Sequence, residues 1–284
     1  MKVSYYPGCS LDGTGKEYGE SVGSVSKTLG IELHELDDWT CCGASSAHAT
    51  NDALAIALPA RNLEIADKAG MDLLVACALC YQRLKVAEKE LLGGKAVEGI
   101  SRRYEGNFHI KHIADFLWED VGEKAIGERV KKPLVGLNAV CYYGCLTVRP
   151  PKVTEAKNPE DPQAMDDLMR TLGANVLNWS YKTDCCGGSL MFTRPDIARR
   201  LSSKVLDMAE EAGADCIITG CPMCQSNLDT RQKEMSHETG KAYHIPIFYL
   251  TELMGLAFGD PSVGKWLRRH TTAPRPLLKR KGLI

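Results

Sequence analysis

The chain has 284 residues, with 35 Lys and Arg against 36 Asp and Glu and a formal net charge of −1. That balance gives no electrostatic ground for nucleic acid or an anionic membrane surface as a partner, and the length allows two domains of ordinary size. Twelve cysteines are the anomaly, because a chain this long builds a core without disulfide staples, and in a reducing compartment clustered cysteines serve as metal ligands or redox groups.

In chain order, the opening Met1–Gly8 is broken by Pro7 and Gly8 before any signal-like apolar region can form. It reads as a strand leading to Cys9. Cys41-Cys42-Gly43 follows, ahead of a helical pattern over 52–69 that ends at Gly70. A short apolar run at 73–76 predicts a buried strand, then come Cys77-Ala78-Leu79-Cys80, a helix over 81–92 and an apolar segment at 108–118. The polar stretch 121–132 reads as a linker.

The order then repeats. Residues 138–145, ending at Cys145, parallel 2–9, and an insertion at 147–162 rich in Pro and charge precedes Cys185-Cys186-Gly187-Gly188. A helix over 196–212 ends at Gly213, a strand covers 216–218, Cys221-Pro222-Met223-Cys224 leads into a helix over 225–235, and an apolar segment spans 245–258. Between the double cysteine and the CxxC there are 34 residues in both halves; from the first cysteine to the double one there are 31 and 39, a difference the insertion accounts for. Segment 245–258 is interrupted by Thr251 and Glu252 and is too short to span a membrane, so the expectation is a cytoplasmic protein. The tail 268–281 carries six Lys or Arg and reads either as solvated or as a partner-docking segment.

Strands alternating with helices imply an α/β fold. The expectation is two pseudo-symmetric repeats, 1–132 and 133–284 with the C-terminal tail, each a small, mostly parallel sheet flanked by helices. Every cysteine set falls where a strand or loop yields to a helix, and in parallel α/β architecture those junctions meet at the carboxyl edge of the sheet. Ten sulfurs would thus gather into two groups of five: Cys9, Cys41, Cys42, Cys77 and Cys80, and Cys145, Cys185, Cys186, Cys221 and Cys224. Thiolates suit iron–sulfur clusters, zinc or copper(I). A closed zinc site would leave one of each five unused, and a thioredoxin-like dithiol would leave the double cysteine unexplained. Five matched positions in each half point to polynuclear clusters. Cys141 and Cys216 lack cysteine counterparts, sit in predicted strands and read as core.

Tyr6-Pro7-Gly8-Cys9-Ser10, Cys41-Cys42-Gly43, Asp184-Cys185-Cys186-Gly187-Gly188 and Cys221-Pro222-Met223-Cys224-Gln225-Ser226-Asn227-Leu228-Asp229 resemble the cysteine-rich CCG repeats, and nearly the whole chain is similar to the B subunits of heterodisulfide reductase. The resemblance implies two non-cubane [4Fe–4S] clusters, each held by one of the two quintets. It implies reduction of a disulfide, in methanogens that of coenzyme M with coenzyme B, by two one-electron steps. The chain lacks a ferredoxin cysteine run, a dinucleotide fingerprint and a P-loop. Electrons would therefore come from partners in the same complex, by resemblance a flavin-containing subunit that feeds a small ferredoxin-like one. Two alternatives stand beside this: an electron-transfer component of a larger bacterial oxidoreductase complex that cleaves no heterodisulfide, and one cluster with a structural zinc in the other half. His48 is a candidate proton donor or a surface residue, and Arg149 and Lys152 are candidates for attracting an anionic substrate or plain loop charges.

Overall fold

The computed structural model describes residues 1–44, 46–100 and 104–284. In the first half, β1 (Lys2–Tyr6), β2 (Glu32–Glu35), β3 (Leu73–Val75) and β4 (Ile110–His112) form one sheet in the order β2-β1-β3-β4. In the second half β5 (Asn138–Tyr142), β6 (Asn175–Val176), β7 (Cys216–Thr219) and β8 (Ile247–Tyr249) repeat it as β6-β5-β7-β8. Every pairing is parallel, so each sheet is covered by helices on both faces. That is why β3 and β7 are buried throughout rather than alternating.

Helix Asp52–Ala69 keeps the expected bounds because both ends are marked: the Asn51 side chain accepts from Leu54 N–H at 2.9 Å, and Gly70 closes it in the left-handed region. The helices after each CxxC start earlier than the sequence predicts. Ala78–Leu92 begins directly after Cys77 and Pro222–Thr230 directly after Cys221, which puts Cys80 and Cys224 in their first turns. The expected 225–235 helix is also broken at Arg231 and resumes as Gln232–Thr239. Thr230 Oγ1 donates to Ser226 O at 2.7 Å beside that break, a back-bond that bends helices.

The two repeats interlock. Helix Lys16–Thr28 of the first half packs against Leu250–Phe258 of the second, where Tyr18 stacks on Tyr249 at 4.1 Å and Ser21 Oγ meets Thr251 Oγ1 at 2.6 Å. Reciprocally, Ala164–Thr171 of the second half packs on Ile113–Phe116 and the turn that follows. One core therefore runs through both halves, with Val22 and Val25 beside Leu253 and Met254, and Phe116 and Leu117 beside Met165 and Leu168. The expected linker 121–132 joins it. It contains helix Glu123–Gly127, whose Ile126 is buried in that core, because an apolar residue inside a polar stretch finds a surface to cover.

The basic tail is packed onto the second half through the apolar residues between its charges, while Arg268, Arg269, Arg275, Lys279 and Arg280 stay exposed. Leu277 and Leu278 within it, and Trp266 and Leu267 just ahead of it, are buried, each leucine worth roughly 1.5–3 kcal/mol when removed from water. Lys281 pairs with Asp215 at 2.6 Å and Arg269 with Glu20 at 2.9 Å. His270 Nε2 meets Glu252 at 2.9 Å, both side chains fully enclosed.

Burial disfavours the charge on His270, but the Glu252 carboxylate overrides it, with Asp229 and Glu17 adding to the pull, and the pKa is raised. Stability from this pair is thus fully present below the ordinary histidine value of about 6.5 and lost as pH rises through the raised value. Melting temperature of the anaerobically purified protein should fall over that window. His270→Asn should flatten the slope and cost about 3 kcal/mol by stranding Glu252; an unchanged slope in the variant would refute the assignment.

Candidate metal centres

Each cysteine set sits at a carboxyl-terminal strand end. Cys9 follows β1 through Pro7 and Gly8 and opens the short helix Cys9–Asp12; Cys77 follows β3 and caps the helix holding Cys80. Tyr6, the last residue of β1, donates its hydroxyl proton to Thr40 O at 2.7 Å, while Tyr142, the last of β5, donates to Asp184 O at 2.6 Å. Thr40 and Asp184 immediately precede the two double cysteines, so equivalent tyrosines tether equivalent loops.

All ten expected ligand residues are brought together as two fives. In the first half Cys9 Sγ lies 3.7 Å from Cys41 Sγ and Cys42 Sγ 3.3 Å from Cys80 Sγ, with Cys41 hydrogen-bonded to Cys42 and Cys77 to Cys80. In the second half Cys186 Sγ lies 3.5 Å from Cys224 Sγ, and Cys145 is hydrogen-bonded to Cys185 and Cys221 to Cys224. All twelve thiols are free. Cys141 and Cys216 stay apart, buried in the shared core, where desolvation pushes both thiols up.

Each quintet has an inner and an outer side. Cys42, Cys77, Cys80, Cys186, Cys221 and Cys224 are buried; Cys9 and Cys185 are exposed, and Cys41 and Cys145 lie between. On the outer side one thiol of each half is held low, Cys41 by hydrogen bonds from Cys42 and Cys9, and Cys185, down to about 6, by its hydrogen bond from Cys145. Backbone amides add to this: Gly43 N–H faces Cys41 Sγ at 3.5 Å and Gly187 N–H faces Cys185 Sγ at 3.3 Å. Five sulfurs, amides aimed at them and helix starts behind the CxxC pairs suit an anionic, thiolate-ligated core. Among the described residues no three His, Cys, Asp or Glu side chains close around a single-ion position.

Sequence reasoning missed the braces. Ser202 Oγ and Asn227 Nδ2 both donate to Cys186 O, at 2.9 and 2.7 Å, whereas in the first half Asn62 grips Thr40 through N–H and C=O. It also missed the junction between the sites. Tyr18 Oη lies 3.0 Å from Ala76 O and 3.3 Å from Gly220 O, the residues directly before Cys77 and Cys221. His112, pushed down to about 4 by burial, is neutral and donates from Nε2 to Gly220 O at 3.1 Å while Nδ1 accepts from Ala114 N–H. The two CxxC segments therefore start back to back around one hydroxyl. The matched pair Tyr6 and Tyr142 was legible in the flanks; Tyr18 and His112 have no cysteine-linked signal.

The other candidates resolve simply. His48 is exposed with Nδ1 2.8 Å from Arg83 Nη1, and burial and Arg83 lower its pKa. Arg149 is paired with Glu160 at 2.5 Å, so it is not a free anion trap, and Lys152 is exposed on the short helix Pro151–Thr154.

Gly8, at φ +71°, passes so close to Cys80 that a Cβ would lie 2.8 Å from its Sγ; Gly144 repeats this at φ +66°, with 3.2 Å to Cys224 Sγ. Gly8→Ala should therefore empty the first site alone. Iron and acid-labile sulfide should fall toward half of wild type, while Gly23→Ala, with nothing within 4 Å, keeps the full content. Full iron in Gly8→Ala would refute the close approach.

Comparison with known proteins follows the same division. The family described as CCG, cysteine-rich domain, matches residues 3–85 and 139–229. The chain is 30% identical over 267 residues to the 8-methylmenaquinol:fumarate reductase membrane anchor subunit of Wolinella succinogenes, covering 92% of this chain and 93% of that one. It is 30% identical over 275 residues to a protein of Archaeoglobus profundus named as like the B subunit of heterodisulfide reductase, 92% of each. It is 28% identical to the B subunit of the ferredoxin:CoB-CoM heterodisulfide reductase of Methanosarcina mazei, over 91% and 89%. Among solved structures, a hypothetical protein from Helicobacter pylori superposes with a TM-score of 0.71 at 12% identity, over 95% of this chain and 52% of that one, a likeness of fold alone.

Proposed function

The chain belongs to the CCG cysteine-rich family, among the proteins like the B subunits of heterodisulfide reductase, and on that premise we propose that it is the component of an oxidoreductase complex that reduces a small-molecule disulfide at two non-cubane [4Fe–4S] clusters. It is an iron–sulfur oxidoreductase subunit of a larger complex. The finer reading assigns Cys9, Cys41, Cys42, Cys77 and Cys80 to one cluster and Cys145, Cys185, Cys186, Cys221 and Cys224 to the other, with the two repeats divided at 132/133. A disulfide takes up two electrons and two protons to give two thiols. When bound, each cluster supplies one-electron exchange and iron with affinity for sulfur. The observation that carries the reading is the pair of equivalent thiol quintets whose CxxC segments abut at Tyr18, two one-electron sites on one rigid frame.

The chain's own residues then have definite work. Tyr6 and Tyr142 fix the double-cysteine loops, and Gly8 and Gly144 admit the backbone to the sulfurs. The inner cysteines exclude water while the outer ones leave each site open to solvent. Electrons would arrive from a ferredoxin-like subunit fed by a flavin-containing one, in the cytoplasm, and the coenzyme M–coenzyme B heterodisulfide or an analogue would be the acceptor.

A second reading, a relay that passes electrons without cleaving a disulfide, has one specific support: the similarity to a fumarate reductase subunit over 92% of the chain. That relative is named a membrane anchor; among the described residues no helix is long and apolar enough to cross a membrane.

Anaerobically purified protein should hold about eight irons per chain, the number two four-iron clusters require, against about four with one zinc if one half is a zinc module. Adding coenzyme M or coenzyme B thiol to the oxidised protein should produce a new paramagnetic signal. A fully loaded protein that answers neither thiol would overturn disulfide reduction in favour of the relay.

A further inference from the structure

The two halves differ most in what lies over the helix that follows each CxxC. The repeat pairs β4 with β8, His112 with Tyr249, Asp115 with Glu252, Trp118 with Gly255 and Gly122 with Gly259; along the CxxC helices it pairs Lys85 with Asp229 and Lys89 with Lys233. In the second half the C-terminal tail crosses this face. Trp266 sits over Gly255, where an added Cβ would lie 2.6 Å from its ring. His270 takes up the Glu252 carboxylate, and Asp229 accepts the N–H groups of Thr271 and Thr272 at 2.7 and 3.0 Å. Beneath the tail lies a cavity of about 420 Å³.

In the first half the same face is covered only in part, by the second half's insertion, whose Glu155 takes Lys85 and Lys89 and whose Thr154 O accepts from the Tyr81 hydroxyl. The chain leaving Gly122 runs on through helix Glu123–Gly127 to begin β5, so it cannot fold back as the tail does. What remains is a cavity of about 1270 Å³ between helix Ala78–Leu92, β4 and the second half's insertion. Its inner wall includes Tyr81 and His112, whose neighbours in sequence or space are Cys80 and the carbonyl before Cys221. Asp115, the counterpart of Glu252, lines it without a hydrogen-bond or ion-pair partner among the described residues, and burial raises its carboxyl to about 6. The lysines around it are already matched: Lys85 to Glu88 and Glu155, Lys89 to Glu155, Lys111 to Asp120, and Lys157 to Glu119. The unmet charge in this groove is negative, which disfavours an anionic small molecule and favours a cationic side chain.

We infer that this cavity seats an extended segment of a partner subunit, which lies across Trp118 and places a His, Lys or Arg on Asp115 as the chain's own tail places His270 on Glu252. The support is internal to the molecule: the fold already shows a polypeptide on the equivalent face, with an aromatic anchor, a cation on the carboxylate and backbone N–H groups bonded beside it. The inference rests on the chain's working within an assembly, but not on which compound is reduced.

The test installs photoreactive p-benzoylphenylalanine at Asn107, exposed on the cavity rim, or at Val135, 69% exposed and outside the cavity, in the chain purified within its native complex. The Asn107 probe should cross-link to a basic or histidine-bearing segment of another subunit of that complex, at least about tenfold above the Val135 probe. Asp115→Leu should cut the adduct by a similar factor, as loss of a docking charge pair predicts, with iron content unchanged. Adducts at the level of the Val135 probe, or only within the chain itself, would overturn the inference. So would adducts indifferent to Asp115→Leu in a variant that keeps its iron. Because the readout is contact rather than turnover, a failed thiol response in the previous test leaves this one standing, and the reverse.

Discussion

Sulfur crowding is the constraint on which the structure turns. Thiols in contact at 3.3–3.7 Å cannot all ionise unless something positive lies among them, since like charges at such range oppose one another strongly in a partly buried site. The chain supplies only part of the compensation: single amides on Cys41 and Cys185 and the starts of two helices. On the proposed ligand assignment a thiolate-ligated metal core would supply the rest. The remaining local structure keeps the sulfurs from spreading: tyrosine tethers at the strand ends, glycines that allow the backbone within van der Waals reach, and side-chain amides that brace each double-cysteine loop, Asn62 on Thr40 and Asn227 on Cys186.

That work cannot be divided cleanly between the halves. Each repeat packs the helix between its first two strands against the helix after the last strand of the other, and a single core of Val22, Val25, Leu253, Met254, Phe116 and Met165 results. The relative placement of the two quintets is consequently as rigid as the interior itself. Tyr18 makes the point at atomic scale. Its hydroxyl sits between two carbonyls separated from it by 58 and 202 residues, and its ring is stacked on Tyr249 from the far half. A shift of one CxxC segment would leave a buried carbonyl short of a donor, at a cost of about 1–3 kcal/mol. Neither site moves without the other.

The sequence carried the parts of this that depend on spacing. Ordered cysteines with matched gaps pointed to the ten thiols, and the helical pattern ending at Gly70 marked a helix to the residue. It concealed what depends on approach in space. The helix after each CxxC absorbs the second cysteine because Cys77 and Cys221 have extended backbones that let the helix begin at once, a feature hidden by the apolar pattern, which becomes periodic only further on. The tail read as either solvated or docking because its charges outnumber its apolar residues in a linear reading; Trp266 shows its purpose only against Gly255 of helix Leu250–Phe258, and Leu277 and Leu278 only within the shared core. Asn227 and Ser202 converge on Cys186 O from two different helices, and no local pattern encodes that.

Duplication followed by divergence has left two similar sulfur sites in dissimilar settings. Cys186 is held by Ser202 and Asn227, whereas in the first half the hold falls two loop positions earlier, on Thr40 through Asn62. One half is roofed by its own tail and the other faces a wide cavity. Burial and hydrogen bonding near the sulfurs are the levers by which a protein sets the potential of an iron–sulfur site. Equivalent ligand sets under unequal roofs should therefore form two inequivalent centres. On the proposed ligand assignment, electrons would enter through the half that a partner can cover, and the half already closed by the chain's own tail would be left to hold its state.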